Sequence, residues 1–202
     1  MLDFKKEIDS SIANLDFYND DKAFEKREQL KAMSIAADSI ILFAERYSVK
    51  LKEAASNEPV PNRKIELLEM SEVCSRVPAK KPETFWEALQ YYWFVHLGVI
   101  TELNTWDSFN PGRLDQHLLP FYINDLEKGR ITEERARELL KSFWVKFNNQ
   151  PAPPKVGVTA QESNTYTDFC LINLGGVTET GEDASNEMTY MLLDTIEEMR
   201  LL

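Results

Sequence analysis

The chain is organised around one long run that fits a helix and little else. After the turn-forming Asn19-Asp20-Asp21, the apolar residues Phe24, Leu30, Met33, Ile40, Ile41, Phe43 and Leu51 recur among charged ones, and no proline occurs before Pro59. Apolar residues returning every three or four positions line one face of a 3.6-residue helix, so the run predicts a single long amphipathic helix. The same spacing in Phe4, Ile8, Ile12 and Leu15 predicts a first helix from Leu2 to Leu15. Pro59 and Pro61 favour extended backbone and mark a short connector over residues 57–62. A further helical pattern, with Ile65, Leu67, Leu68 and Met70, begins near Arg63.

Pro82-Glu83 can open another helix, because proline suits a first helical turn, and Phe85, Trp86, Leu89, Tyr92, Trp93, Val95, His96 and Val99 follow. Between Asn104 and Pro111 the sequence NTWDSFNP disfavours helix and predicts a loop. Helices resume over Leu114 to Lys128 and, after Gly129, over Glu133 to Phe147, the latter with Thr132 as its N-cap and Glu133 and Glu134 suited to the positive end of the helix dipole. QPAPPK at 150–155 cannot be helix interior, because its prolines lack amide donors. Asp168 to Leu174, DFCLINL, is short, apolar and followed by Gly175-Gly176, and is read as a buried strand, with a weaker second strand near Val156. A last helix runs from Glu187 to Leu202, where apolar residues without a capping glycine give the look of a pattern that is cut. The expected fold class is mainly α with a short β part, whose strand edges call for partners beyond these 202 residues.

A formal net charge of −11 repels phosphate backbones and anionic lipid headgroups, so neither nucleic acid nor a membrane is an expected partner. No apolar run approaches bilayer length and the amino terminus carries no signal-peptide segment, which makes the cytoplasm the expected address. Cys74 and Cys170 lie in unrelated contexts, form no CxxC pair, and are read as inert buried thiols. His96 and His117 lack any metal-ligand spacing and are read as structural, and no glycine-rich phosphate loop is present. Asp107 and Asp168, each beside an aromatic residue, are the carboxylates that could do acid and base work in an apolar site; capping their own turns is the plainer alternative.

Three long strings carry a resemblance: ELNTWDSFNPGRLDQHLLPFY from Glu102, VKFNNQPAPPKVGVT from Val145 and ESNTYTDFCLINLGG from Glu162. They resemble glycyl radical enzymes of the pyruvate formate-lyase superfamily, within it the dehydratases acting on trans-4-hydroxy-L-proline, and the likeness extends back through CSRVPAKKPETFWEALQYYWFVH to the first helix. The resemblance implies that residues 1–202 are a partial pyruvate formate-lyase-like domain. It would comprise the helical portion and first strands of an α/β barrel. In such enzymes a glycyl radical near the carboxyl terminus oxidises a cysteine to a thiyl radical, which abstracts a hydrogen from the substrate. The family's Gly-Cys-X-Glu and Arg-Val-X-Gly-Tyr loops have no match here, so no catalytic residue is assigned, Cys74 and Cys170 included, and the piece alone is expected to be inactive.

Carried over residue by residue, the resemblance places the substrate-facing aspartate of the TELNxWD stretch at Asp107 and the TYTDF pair at Asp168 and Phe169. Cys170 departs from the alanine expected there, which bears on substrate identity. Two carboxylates attract an ammonium group and repel a sulfonate or a second carboxylate, which favours hydroxyproline over isethionate or pyruvate. Also implied are a radical installed by an S-adenosylmethionine/iron–sulfur activating enzyme, a homodimer, and no metal held by these residues. Other glycyl radical lyases or acyltransferases acting on glycerol, diols, choline, isethionate or formate are the alternatives within the family. The alternative from another class is an acidic helical protein that binds a partner through its aromatic faces. A reading frame continuing into the cysteine and glycyl loops favours the enzyme, and a stop at Leu202 favours the binding protein.

Overall fold

The computed structural model describes residues 1–102, 112–148 and 172–200. They divide into two compact units, Met1–Pro82 and Glu83–Leu202.

In the first unit, α1 (Leu2–Ala13), α2 (Ala23–Asn57) and α3 (Pro61–Arg76) follow one another with short turns. The α1–α2 turn is held by Asp16, whose carboxylate accepts the backbone N–H groups of Tyr18 and Asn19 at 2.9 and 3.0 Å. Asp20 then accepts the Lys22 N–H at 3.0 Å at the start of α2. Pro61 stands in the first turn of α3, where its missing N–H costs nothing, so the connector is shorter than the two prolines predict, residues 58–60, and α3 starts two residues before Arg63.

The long helix forms as expected, but its predicted apolar face is covered only in part, with Leu30, Ile40, Ile41 and Leu51 half-buried. Phe24, Met33 and Phe43 are exposed, whereas the buried residues of α2 are Ala23, Ala37, Ala44, Ser48 and Ala55. Positions 37, 44, 48 and 55 share one stripe, spaced by sevens and fours. Around Ser48 this stripe faces α3, whose Leu67, Ser71 and Cys74 are buried in turn, while the Lys5–Asp38 ion pair sets α1 beside the stretch around Ala37. The Ser71 hydroxyl donates to the Ser48 carbonyl at 2.8 Å, and the two hydroxyls lie 3.0 Å apart, so the polar atoms in this seam are satisfied.

In the second unit, α4 (Phe85–Glu102), α5 (Leu114–Glu127), α6 (Glu133–Asn148) and α7 (Glu187–Met199) enclose a core of large side chains. It contains Phe85, Leu89 and Trp93 from α4, Leu118 and Tyr122 from α5, Leu140, Phe143, Trp144 and Phe147 from α6, and Met188 and Leu192 from α7. Phe143 and Phe147 meet edge to face with ring centroids 4.5 Å apart.

Helix α4 is opened by Thr84, not Pro82: the Thr84 hydroxyl accepts the Glu87 N–H at 3.2 Å, while the Glu87 carboxylate reaches back to the Glu83 N–H at 2.7 Å. Thr132 caps α6 as its sequence predicts, accepting the Arg135 N–H at 3.2 Å. Helix α5 closes in a Schellman motif: Gly129 takes a left-handed φ of 62°, its N–H donates to the Leu126 carbonyl at 3.0 Å, and the Arg130 N–H donates to the Asp125 carbonyl at 2.8 Å. Helix α7 ends at Met199 rather than continuing to Leu202, with Arg200 left-handed at φ 49°.

The expected strand is not borne out among the described residues. Of DFCLINL, only Ile172, Asn173 and Leu174 are described, and they make one isolated parallel bridge, Asn173 with Arg113. A second bridge, Val177 with Asp183, is antiparallel and equally short. A strand needs a row of backbone partners, and here the backbone of Asn173 meets a single neighbour before Gly175 and Gly176, both at positive φ, turn the chain away. The described structure is therefore helical. The NTWDSFNP loop, the QPAPPK segment, the weak strand near Val156 and Cys170 lie outside the described residues.

Candidate functional site

The three residues expected to face a substrate, Asp107, Asp168 and Phe169, also lie outside the described residues. In sequence Arg113 lies six residues after Asp107 and Asn173 five after Asp168, and these two described residues are neighbours. Arg113 and Asn173 pair in parallel, and the Leu114 N–H donates to the Asn173 carbonyl at 3.2 Å.

Around that bridge the chain is clamped by side chains. The Arg113 guanidinium donates to the Val177 carbonyl and lies beside Gly176, where a Cβ would meet it at 3.6 Å. Gln116 donates its side-chain amide to the Gly175 carbonyl at 2.9 Å. The Gly175 N–H donates to Asp115 at 2.7 Å, and the same carboxylate oxygen receives the Thr189 hydroxyl from α7. The other oxygen accepts the Gln116 N–H at 2.9 Å. Asp115 is fully buried and joins α5, the Gly175 turn and α7. Thr189 holds its place because it also belongs to the capping box of α7: its hydroxyl accepts the Asn186 N–H at 2.9 Å, and the Asn186 side chain accepts the Met188 N–H at 2.9 Å.

A second buried carboxylate stands at the other end of α5. Asp125 accepts the Phe85 N–H at 2.7 Å at the start of α4 and pairs with Arg130 at 3.3 Å. Neither aspartate had been singled out in the sequence, although a signal existed. Leu118 and Tyr122 define the apolar face of α5, and Asp115 and Asp125 fall on the same face three residues before and three after it. A carboxylate on an apolar face is either paired or costly, which marks it for attention.

His96 is fully buried, as a structural histidine should be. It packs against Phe147 at 4.9 Å between centroids and lies 3.3 Å from the Tyr92 hydroxyl through Nδ1. His117 departs from the same expectation and sits on the exposed side of α5. Cys74 is buried in α3. Among the described residues no group of three or more His, Cys, Asp or Glu side chains is placed to hold a metal, and no helix is long and apolar enough to cross a membrane.

Comparison with known proteins gives a consistent result. The family model described as pyruvate formate lyase-like matches residues 1–202. A trans-4-hydroxy-L-proline dehydratase from Clostridioides difficile is 53% identical over 201 residues, covering 100% of this chain and 26% of that protein. The crystal structure of the C. difficile hydroxyproline dehydratase with trans-4-hydroxy-L-proline bound superposes with a TM-score of 0.92 at 53% identity, over 99% of this chain and 25% of that one. A glycyl radical enzyme from Archaeoglobus fulgidus gives 0.83 at 34% identity, over 98% and 25%. The chain thus spans about a quarter of the length of the relatives it matches.

Proposed function

The chain belongs to the pyruvate formate lyase-like family, and on that premise we propose that it is one part of a glycyl radical C–O lyase that eliminates water from trans-4-hydroxy-L-proline or a similar small hydroxylated substrate. The 53% identity to a hydroxyproline dehydratase along the whole chain supports the substrate class. The observation that carries the site is the parallel bridge between Arg113 and Asn173. Asp107 precedes Arg113 by six residues and Asp168 precedes Asn173 by five, so the two carboxylates stand at similar sequence separations from one bridged pair, which supports the reading.

On this reading Asp107 and Asp168 hold the substrate's ammonium and hydroxyl groups in line, and Phe169 supplies a flat apolar wall against its ring. A carboxyl group beside the hydroxyl can deliver the proton with which it leaves as water. The radical of the full-length protein supplies the hydrogen abstraction, and the residues present here contribute the wall of the pocket. The finer parts of the reading are the strands of an α/β barrel that this segment would enter, a radical-installing activating enzyme as partner, a homodimer and a cytoplasmic address.

The test uses the full-length protein, activated without oxygen. Asp107→Ala and Asp168→Ala are each expected to abolish turnover of hydroxyproline while the glycyl radical signal forms at the wild-type level. Wild-type turnover in either variant removes that residue from the site.

A further inference from the structure

Resting on the function just proposed, we infer that Asp115 is a positioning residue: its buried carboxylate fixes the relative placement of the two chain segments that converge at the Arg113–Asn173 bridge. Asp115 follows Arg113 by two residues, and its Gly175 partner follows Asn173 by two. The carboxylate therefore spans the same two segments as the backbone bridge, one step further along, where it receives the Gly175 N–H at 2.7 Å. The other ties between the two segments are the Leu114-to-Asn173 hydrogen bond at 3.2 Å and those from the half-buried Gln116 to the Gly175 carbonyl and from the exposed Arg113 to the Val177 carbonyl. The Asp115 carboxylate adds the one that is fully buried and charge-assisted, and the Thr189 hydroxyl fastens it to α7. Reacting groups held on two separate segments need their spacing kept to a fraction of an ångström, and a displacement of about 1 Å far from the chemistry can cost on the order of a hundredfold in rate.

Asparagine at this position keeps the shape but turns one of the two acceptor oxygens into a donor, so that either the Gln116 N–H loses its acceptor or, with the amide turned over, the Gly175 N–H and the Thr189 hydroxyl both do. Asp125 is the matched comparison. It too is a buried carboxylate of α5 that accepts a backbone N–H, but it ties down Phe85 and has no part in the clasp.

The experiment compares Asp115→Asn, Thr189→Val, Thr189→Ser and Asp125→Asn in the full-length, anaerobically activated protein, with kcat and KM for trans-4-hydroxy-L-proline normalised to radical content. The expected result is a rise in KM of roughly tenfold or more in Asp115→Asn and Thr189→Val at wild-type radical content. Thr189→Ser, which keeps the hydroxyl, should restore it, and Asp125→Asn should lower stability while leaving KM in place. Unchanged normalised kinetics in Asp115→Asn overturn the inference, as does an equal KM change in Asp125→Asn, since the carboxylate would then serve only the fold. If Asp115→Asn does not accumulate as folded protein, the Thr189 pair decides together with Asn186→Ala, which breaks the capping box but leaves the Thr189 hydroxyl on Asp115: loss with valine, recovery with serine and a wild-type KM in Asn186→Ala support the clasp, whereas no valine–serine difference, or an equal KM rise in Asn186→Ala, refutes it. Asp107→Ala and Asp168→Ala run alongside separate the two claims. Their loss of turnover with a silent Asp115→Asn sinks the clasp alone, whereas their silence with a responsive Asp115→Asn sinks the substrate assignment alone.

Discussion

The two units solve the same packing problem by opposite means. In the first, the contact between α2 and α3 is made by alanines and serines, and much of the large apolar surface is left outside: Ile35, Leu42 and Val49, seven residues apart, are at least half exposed. In the second, large aromatic and aliphatic side chains fill the interior and buried carboxylates fix the helix ends. The difference teaches where stability resides. A core made of volume loses most when volume is removed, and a seam made of close approach loses most when volume is added.

The sharpest way to break this comparison is Leu140→Ala in the aromatic core, where the side chain is wholly buried. It should cost about 2–5 kcal/mol, read as a fall in the urea midpoint at unchanged slope. A smaller loss would mean that the second unit is loosely filled. Next comes Ala44→Leu in the seam, expected to cost about 1–3 kcal/mol by forcing α2 from α3. Its counterpart Ile35→Ala, on the exposed stripe, should stay within about 0.5 kcal/mol. Reversal of that order would place the true packing face of α2 on its large residues.

Acid titration should separate the units least. Asp16 and Asp20 in the first unit lie below the usual carboxylate range, held there chiefly by hydrogen bonds from Asn19 and Lys26. Glu198 in the second is lowered chiefly by its hydrogen bond from Lys141. A lowered folded-state value means that the unfolded chain binds protons first, so this stabilisation is complete above about pH 4–5 and is lost as the pH falls through the lowered values. All three carboxylates keep contact with solvent, Asp16 and Glu198 being exposed and Asp20 half-buried, so the loss should be shallow, similar in both units and reduced by salt. A steep transition confined to one unit, followed by circular dichroism with pH, would contradict this.

Helix positions were legible in the sequence because apolar spacing and caps act locally: Thr132 marks in the chain what it does in the fold, whereas Pro61, read as connector, is the first residue of α3. The buried face of α2 was legible from hydrophobicity only in part: Leu30, Ile40, Ile41 and Leu51 are half-buried, but the residues buried most completely are small. Burial there is decided by how closely a neighbouring helix approaches, and Ala37 and Ala44 permit what Met33 and Phe43 would obstruct. The described end of the expected strand, Ile172 to Leu174, illustrates the reverse failure, since an apolar run specifies burial but does not supply the partners that make a sheet. Of the site, the motif strings identified the family, and the residues proposed to touch substrate follow from them. The clasp that braces their segments had to be seen, because Asp115 meets Gly175 and Thr189 only after the chain has folded.

That separation has a consequence for how the protein is made. Gly175 lies 60 residues beyond Asp115 and Thr189 lies 74 beyond it, so the chain must close a long loop before the carboxylate has any partner but its own turn. During synthesis, α5 leaves the ribosome with this charge still hydrated. Its first turn can become dry only once α7 has been made, so the piece of chain that anchors the candidate pocket is among the last of the second unit to lock.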